Sequence, residues 1–140
     1  MLINCKRLVR SHVSPASAAM LLPVLSCFAM PCQAGAAAGD SANGMKLYEA
    51  KCGGCHSLDM NRVGPAHRGV VGRPIASAPG YTYSNAIKKL GGTWTPRRLD
   101  QWLQGPQNMA PGTKMFFSVP SASDRADIIT YLAANSDPSK

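Results

Sequence analysis

Two thiols and an imidazole are packed into five residues of this 140-residue chain: Cys52, Gly53, Gly54, Cys55 and His56. Thiols at this spacing can add across the two vinyl groups of a haem to form thioethers. The His that follows is held close enough for one ring nitrogen to reach the iron. The same residues allow other chemistry. A redox-active dithiol would want a βαβ setting, and no alternating strand pattern surrounds the pair. A zinc site would want four ligands. Cys52, Cys55, His56 and His67 make that number, but without the spacing of a ribbon or finger. A plain Cys52–Cys55 disulfide is a third option in an exported protein.

Candidates for a second axial ligand are Met45, Met60, Met109, Met115 and His67. Met45 falls on a predicted helix and is expected in a core. Met60 lies four residues past His56, on the same side of the metal. Met115 ends the run Pro111-Gly112-Thr113-Lys114-Met115, where a stiff turn can carry a soft thioether to the opposite face. Spacing alone does not separate that role from core lining, for Met109 or for Met115.

Residues 1–34 read as a secretory signal. Lys6, Arg7 and Arg10 give a positive start with no acidic residue. Ala18 to Met30 is apolar, interrupted by Pro23 and Ser26, and Cys32-Gln33-Ala34 or Ala34-Gly35-Ala36 offers small residues for cleavage. The apolar stretch is short for a membrane span; an uncleaved anchor is the alternative, and Val24-Leu25-Ser26-Cys27 is a poor lipoprotein signal. Three of the five cysteines go with this leader. So do three of the 15 basic residues, which takes the net charge from +8 to +5. Residues 35–42 then form a short flexible lead-in, 43–135 the folded domain and 136–140 a tail.

The elements that must position the motif are short. A helix is expected from about Ala42 to Cys52, capped by Asp40 or Ser41. Met45, Leu47 and Tyr48 would face a core, and Gly44 marks a close approach. Residues 57–79 read as loop. Tyr83 to Leu90 predicts a short helix closed by Gly91–Gly92. Thr95 as cap and Pro96 at the first position open the clearest helix. There Leu99, Trp102 and Leu103 recur at helical spacing, and Gly105–Pro106 stops it. Residues 106–122 read as a further loop, and a last helix runs from Ser121 or Ser123 to Ala134. The fold class is all-α. Aromatics are only 6% and there are 13 Gly and 11 Pro, so long loops in so small a domain make sense if they wrap around something.

The stretch from Gly44 to Ala134 resembles the class I cytochrome c family, including its mitochondrial and alphaproteobacterial-like members. The resemblance rests on Lys51-Cys-Gly-Gly-Cys-His56, Gly64-Pro65, Gly69-Val-Val-Gly-Arg73, Pro79-Gly-Tyr-Thr-Tyr83, Trp94, Pro111-Gly-Thr-Lys-Met115-Phe116 and Asp127-Ile-Ile-Thr-Tyr-Leu132, in the family's order. It implies three main short helices and loops wrapped around one covalent haem c, attached through Cys52 and Cys55. It implies Met115 as the ligand opposite His56, and a hydrogen bond from the other His56 nitrogen to the Pro65 carbonyl. Arg73, Tyr83 and Trp94 would hydrogen-bond the haem propionates, with Thr113 helping. Gly44 and Tyr48 would pack against Ile128, Tyr131 and Leu132. Some positions depart from the pattern. Trp102 stands where the family usually has a Tyr near the Met sulfur, Ile87 replaces a polar Asn, and His67 replaces an apolar haem-packing residue. Gln107 and Asn108 replace lysines of the docking patch.

With His and Met both on the iron, no coordination position is open, which favours outer-sphere electron transfer over enzymatic chemistry. The expectation is a monomeric electron carrier, not an enzyme, exported to the bacterial periplasm and not inserted in the membrane once the leader is cut. Its partners would be acidic redox proteins such as a bc-type complex, a terminal oxidase or a periplasmic dehydrogenase, steered by Lys51, Lys88, Lys89, Arg97 and Lys114. The basic residues are scattered and not interleaved with aromatics, which argues against nucleic acid. The alternative is a haem-based sensor or peroxidase-like protein in which Met115 is displaced.

Overall fold

A computed structural model describes residues 39–136. The leader expected over residues 1–34, the first part of the lead-in and the tail beyond residue 136 lie outside the described residues. Helix α1 spans Ser41–Lys51. Asp40 caps it, its carboxylate accepting from the backbone N–H of Ala42 and Asn43 at 2.8 and 3.2 Å. The start of α1 is latched to the last helix, because Asp127 accepts from the Asp40 N–H and from the Asn43 side chain, both at 2.7 Å.

Gly44 is where the two helices meet most closely. A Cβ there would lie 2.0 Å from the Asp127 carbonyl oxygen. One turn on, Tyr48 is buried and its ring centroid lies 5.4 Å from that of Tyr131. Gly44 and Tyr48 therefore define the inner stripe of α1. The expectation that Met45 faces the core is corrected: it is 42% exposed, one position off that stripe.

Helix α2 is a single turn, Asn85–Lys88, capped by Ser84. It is shorter than the Tyr83–Leu90 segment predicted, and Gly91 and Gly92 follow with positive φ. Helix α3, Pro96–Gln104, begins with Thr95 as cap and Pro96 as its first residue, and buries Leu99, Trp102 and Leu103. Helix α4, Pro106–Met109, is one turn inside what the sequence read as loop. Gly105 breaks α3 in an extended conformation, and Pro106 at once restarts helical φ.

Helix α5 spans Ala122–Ala134, capped by Ser121. It packs against α1 on one side and α3 on the other. Arg125 of α5 is buried. Its Nε donates to Asp100 of α3 at 2.7 Å, and its Nη1 donates to the carbonyls of Val119 and Pro120 at 3.0 and 2.7 Å. One isolated bridge, Pro74 with Thr93, is the only strand-like pairing among the described residues. The fold is all-α, with α1, α3 and α5 framing the loops that carry the rest.

Gly44→Ala is expected to destabilise the holoprotein by about 2–3 kcal/mol, since the added methyl meets backbone rather than a movable side chain. Guanidinium unfolding checks it; an unchanged midpoint would show that α1 and α5 tolerate a wider separation.

Candidate functional site

The five-residue motif is a turn closed on α1. Cys52 is the residue after the helix, its N–H donating to the Tyr48 carbonyl at 2.8 Å. The N–H groups of Cys55 and His56 then both donate to the Cys52 carbonyl, at 3.0 and 2.9 Å. This winding turns Cys52, Cys55 and His56 onto one cavity of about 460 Å³. Both cysteines are free, Cys52 half-buried and Cys55 exposed. Burial pushes the Cys52 thiol up to about 11.

His56 is held from two sides. Its Nδ1 lies 2.8 Å from the Pro65 carbonyl; with Nδ1 as the donor, Nε2 keeps the free lone pair a metal needs. On its flank, a Cβ at Gly64 would come within 2.1 Å of the His56 ring. His67 stacks on the same ring at 4.0 Å and 19°. Burial lowers the His56 pKa and the Pro65 bond opposes it, leaving a neutral imidazole at pH 7. His67 is lowered further by burial, then by the neighbouring His56 and Arg73, and its Nδ1 is buried without a partner.

The same cavity is lined by Met115, and among the described methionines by no other. Met60 is 62% exposed, and Met109 packs elsewhere against the core. The Trp102 indole N–H donates to the Met115 sulfur at 3.2 Å. The walls are apolar, with Val70, Ile87, Leu99, Leu103, Ile128 and Leu132 among them.

Arg73, Tyr83, Trp94 and Thr113 reach this cavity too. Arg73 is anchored by donating to the carbonyls of Arg68 and Ala66 at 3.1 and 2.8 Å, while its Nε is buried without a partner. A backbone pair ties Arg73 to Trp94, the Trp94 N–H donating to the Arg73 carbonyl at 2.9 Å. The Tyr83 hydroxyl accepts from the Ala78 N–H at 3.1 Å, which leaves its own proton to donate.

The basic residues divide. Lys51 and Lys114 line the mouth of the cavity, whereas Lys88, Lys89 and Arg97 are exposed away from its lining. Lys51 lies 3.6 Å from Asp124, and Lys114 donates to the Thr82 carbonyl at 2.7 Å. Beside them stand exposed apolar side chains: Val63, Phe116 and Phe117 are 75%, 79% and 49% exposed.

This donor set suits a large flat apolar group that carries a ligand-seeking metal and carboxylates. Two thiols stand at its edge, an imidazole and a thioether face it, and a buried guanidinium N–H awaits an acceptor. The other readings of the motif fare worse. Both thiols are free, no strand flanks them among the described residues, and no three His, Cys, Asp or Glu side chains there converge as a metal site needs. Two residues escaped the sequence reading. Arg125 is not singled out by the sequence and Gln107 stands there only as a docking lysine replaced, yet both hold the loop that carries Met115. The signal for Gln107 was its place just after Gly105–Pro106, which restarts a turn beside that loop.

A family model described as Cytochrome c matches residues 41–136. Cytochrome c-type cyt cy of Rhodobacter capsulatus is 46% identical over 96 residues, 67% of this chain; the chain spans about half of that protein, 48%. Cytochrome c of Euglena viridis is 42% identical over 102 residues, covering 71% of this chain and 100% of its own length. Cytochrome c2 of Rhodopila globiformis is 44% identical over 97 residues, 67% of this chain and 92% of its own. The solved structure of cytochrome cH from Methylobacterium extorquens superposes with a TM-score of 0.65 at 44% identity, over 69% of this chain and 99% of that one.

Within the site, Gly64→Ala is expected to displace the His56 ring, because the methyl and the imidazole cannot share the space. The slowly exchanging Nδ1–H resonance of His56, protected by Pro65, should disappear from the ¹H–¹⁵N spectrum, and stability should fall by about 1–3 kcal/mol. Persistence of that resonance at its original shift would contradict the tight flank.

Proposed function

This chain belongs to the cytochrome c family, and from that premise we propose that it carries single electrons between redox proteins of the bacterial periplasm, with His56 and Met115 as the two residues that would ligate its haem iron. Family membership brings haem c, covalently attached. When bound, the haem iron supplies one-electron exchange between its ferric and ferrous states. The chain's own residues supply the rest. Cys52 and Cys55 would tether the group, and His56 would offer Nε2 with its ring fixed by Pro65. Met115 offers a soft sulfur that favours the reduced metal, and Trp102 orients that sulfur by donating to it. Arg73, Tyr83, Trp94 and Thr113 would hold the propionates, offsetting the cost of bringing carboxylates into an apolar pocket. The apolar walls would exclude water from the group and so keep the rearrangement of its surroundings small.

The observation that carries this reading is that the Met115 sulfur and the His56 imidazole line one cavity, each with its own hydrogen-bond partner. With both as protein ligands, no coordination position would be left open, which is what separates a carrier from a sensor or a peroxidase. Export is supported by the basic, acid-free leader and by the motif itself. Among the described residues, no helix is long and apolar enough to cross a membrane.

The wild-type ferric protein is expected to show the weak long-wavelength charge-transfer band of a thioether on ferric haem, and the reduced protein to bind CO only slowly. Met115→Ala should lose the band and bind CO at once. A wild type that lacks the band and binds CO freely would favour the sensor or peroxidase reading. A mass measurement on periplasmic material should show the haem adduct and the cleaved leader together. For docking, Lys114→Glu on the rim is expected to slow association with an acidic acceptor about two- to tenfold at low salt, the difference closing as salt rises. Stopped-flow rates across an ionic-strength series check it; equal rates at low salt would remove Lys114 from the steering surface.

A further inference from the structure

The loop that carries Met115 is held by a side chain to which electron transfer assigns no task. Gln107 is the second residue of α4 and half-buried. Its amide makes three hydrogen bonds, all to this loop. Nε2 donates to the Thr113 carbonyl at 2.8 Å and to the Met115 carbonyl at 2.9 Å, and Oε1 accepts from the Gly112 N–H at 3.1 Å. The three bonded peptide groups lie on both sides of Lys114, and one belongs to the residue that bears the thioether.

Only a primary amide can make this set. A lysine would donate to the two carbonyls and leave the Gly112 N–H unmet. A glutamate would meet that N–H and repel both carbonyls. Asparagine is one methylene short. The one-turn helix α4 gives the amide its place, since Gly105 and Pro106 restart the chain and present position 107 to the loop.

The other end of the loop is tied separately. The Val119 N–H donates to the Leu103 carbonyl at 2.7 Å, and Arg125 donates to the carbonyls of Val119 and Pro120. Gln107 thus controls the near end, where Gly112 turns at a φ of 87° and the Thr113 N–H closes on the Ala110 carbonyl at 3.0 Å. Releasing it removes the bonds at Gly112, Thr113 and Met115 together, leaving the Trp102 bond on the sulfur and, on the backbone beside it, only the Thr113–Ala110 turn and the Lys114–Thr82 contact.

We propose that Gln107 is a positioning residue that keeps the Met115 thioether on the haem iron and so holds the sixth coordination position closed to outside ligands; the inference rests on Met115 being the axial ligand. Each hydrogen bond is worth from a few-fold to about tenfold in an equilibrium. Losing the amide should therefore raise the population with Met115 detached by about tenfold or more.

The test uses the ferric holoprotein with cyanide as the probe, because cyanide must wait for Met115 to leave. Gln107→Met and Gln107→Glu both keep the volume and remove the amide donor. Cyanide binding should accelerate about tenfold or more in each, and the Gly112 amide should lose protection from hydrogen exchange, while the guanidinium unfolding midpoint moves little. Asn108→Ala, the exposed neighbour, should behave as wild type. If one of the two variants yields no holoprotein, the other decides with the same expectation. Unchanged cyanide rates, with the thioether band present in the wild type, overturn this inference and leave Met115 ligation standing. Acceleration matched by an equal loss of global stability also overturns it, by reducing Gln107 to a structural role. Absence of the band in the wild type overturns both readings at once.

Discussion

The constraint on which the rest depends is a cavity at the centre of the hydrophobic core. Leu99, Trp102, Leu103, Ile128 and Leu132 are among the most buried side chains of the domain, and all of them also line the 460 Å³ cavity. Leaving that much apolar-lined volume unfilled would cost on the order of 10 kcal/mol, comparable to the whole stability of a small domain. The helices are therefore not a finished core to which a haem is later added. A haem seated in this cavity would be the middle of the core, and its covalent attachment would make that filling permanent. This accounts for a chain with few aromatics and many turn residues that still needs long loops: the loops are walls.

Around this centre the chain separates framing from holding. Helices α1, α3 and α5 are joined by polar latches at their peripheries, Asp127 to the start of α1 and Arg125 to Asp100. The Arg125 pair is buried on the arginine side, and its other two bonds go to loop carbonyls, so the guanidinium is satisfied where an unpaired charge would be expensive. The two proposed ligands sit outside the frame, one on the turn after α1 and one on a loop. Each is restrained by a contact that acts on the ligand itself: a carbonyl beneath His56, an indole N–H at the sulfur of Met115. Restraint of this kind suits a site that should look the same before and after an electron has moved.

Much of this could be read from the residues, for a definable reason. Caps and breakers act locally, so Asp40, Thr95, Ser121 and Gly91–Gly92 mark their elements in the sequence as they do in the structure. The cluster of Cys52, Cys55 and His56 is also local, since one turn of chain brings it together. Met115 was different. Spacing could not distinguish it from Met109, because the choice between cavity and core is made by how the loop packs against its neighbours, such as the Trp102 indole at the Met115 sulfur, and not by any periodicity. Met45 failed for a related reason: the close contact at Gly44 sets the inner face along Gly44 and Tyr48 and leaves Met45 beside it, exposed. The α4 turn was missed because four residues carry no periodicity, and Gln107 because its meaning depends on a loop it meets only after folding. His67 stacking on His56 belongs to the same class, a pairing of rings eleven residues apart that no local rule foresees.

The rim of the cavity has a temporal consequence. Val63, Phe116 and Phe117 expose apolar surface beside the site, and the two lysines there are already engaged, one near Asp124 and one on the Thr82 carbonyl. A small apolar contact has few directional bonds to break, so a partner seated on it departs without undoing a network of ion pairs. For a shuttle, throughput is set as much by departure as by arrival. For a partner docked there, surface charges such as Lys114 would quicken the approach, while Val63, Phe116 and Phe117 would set the dwell time.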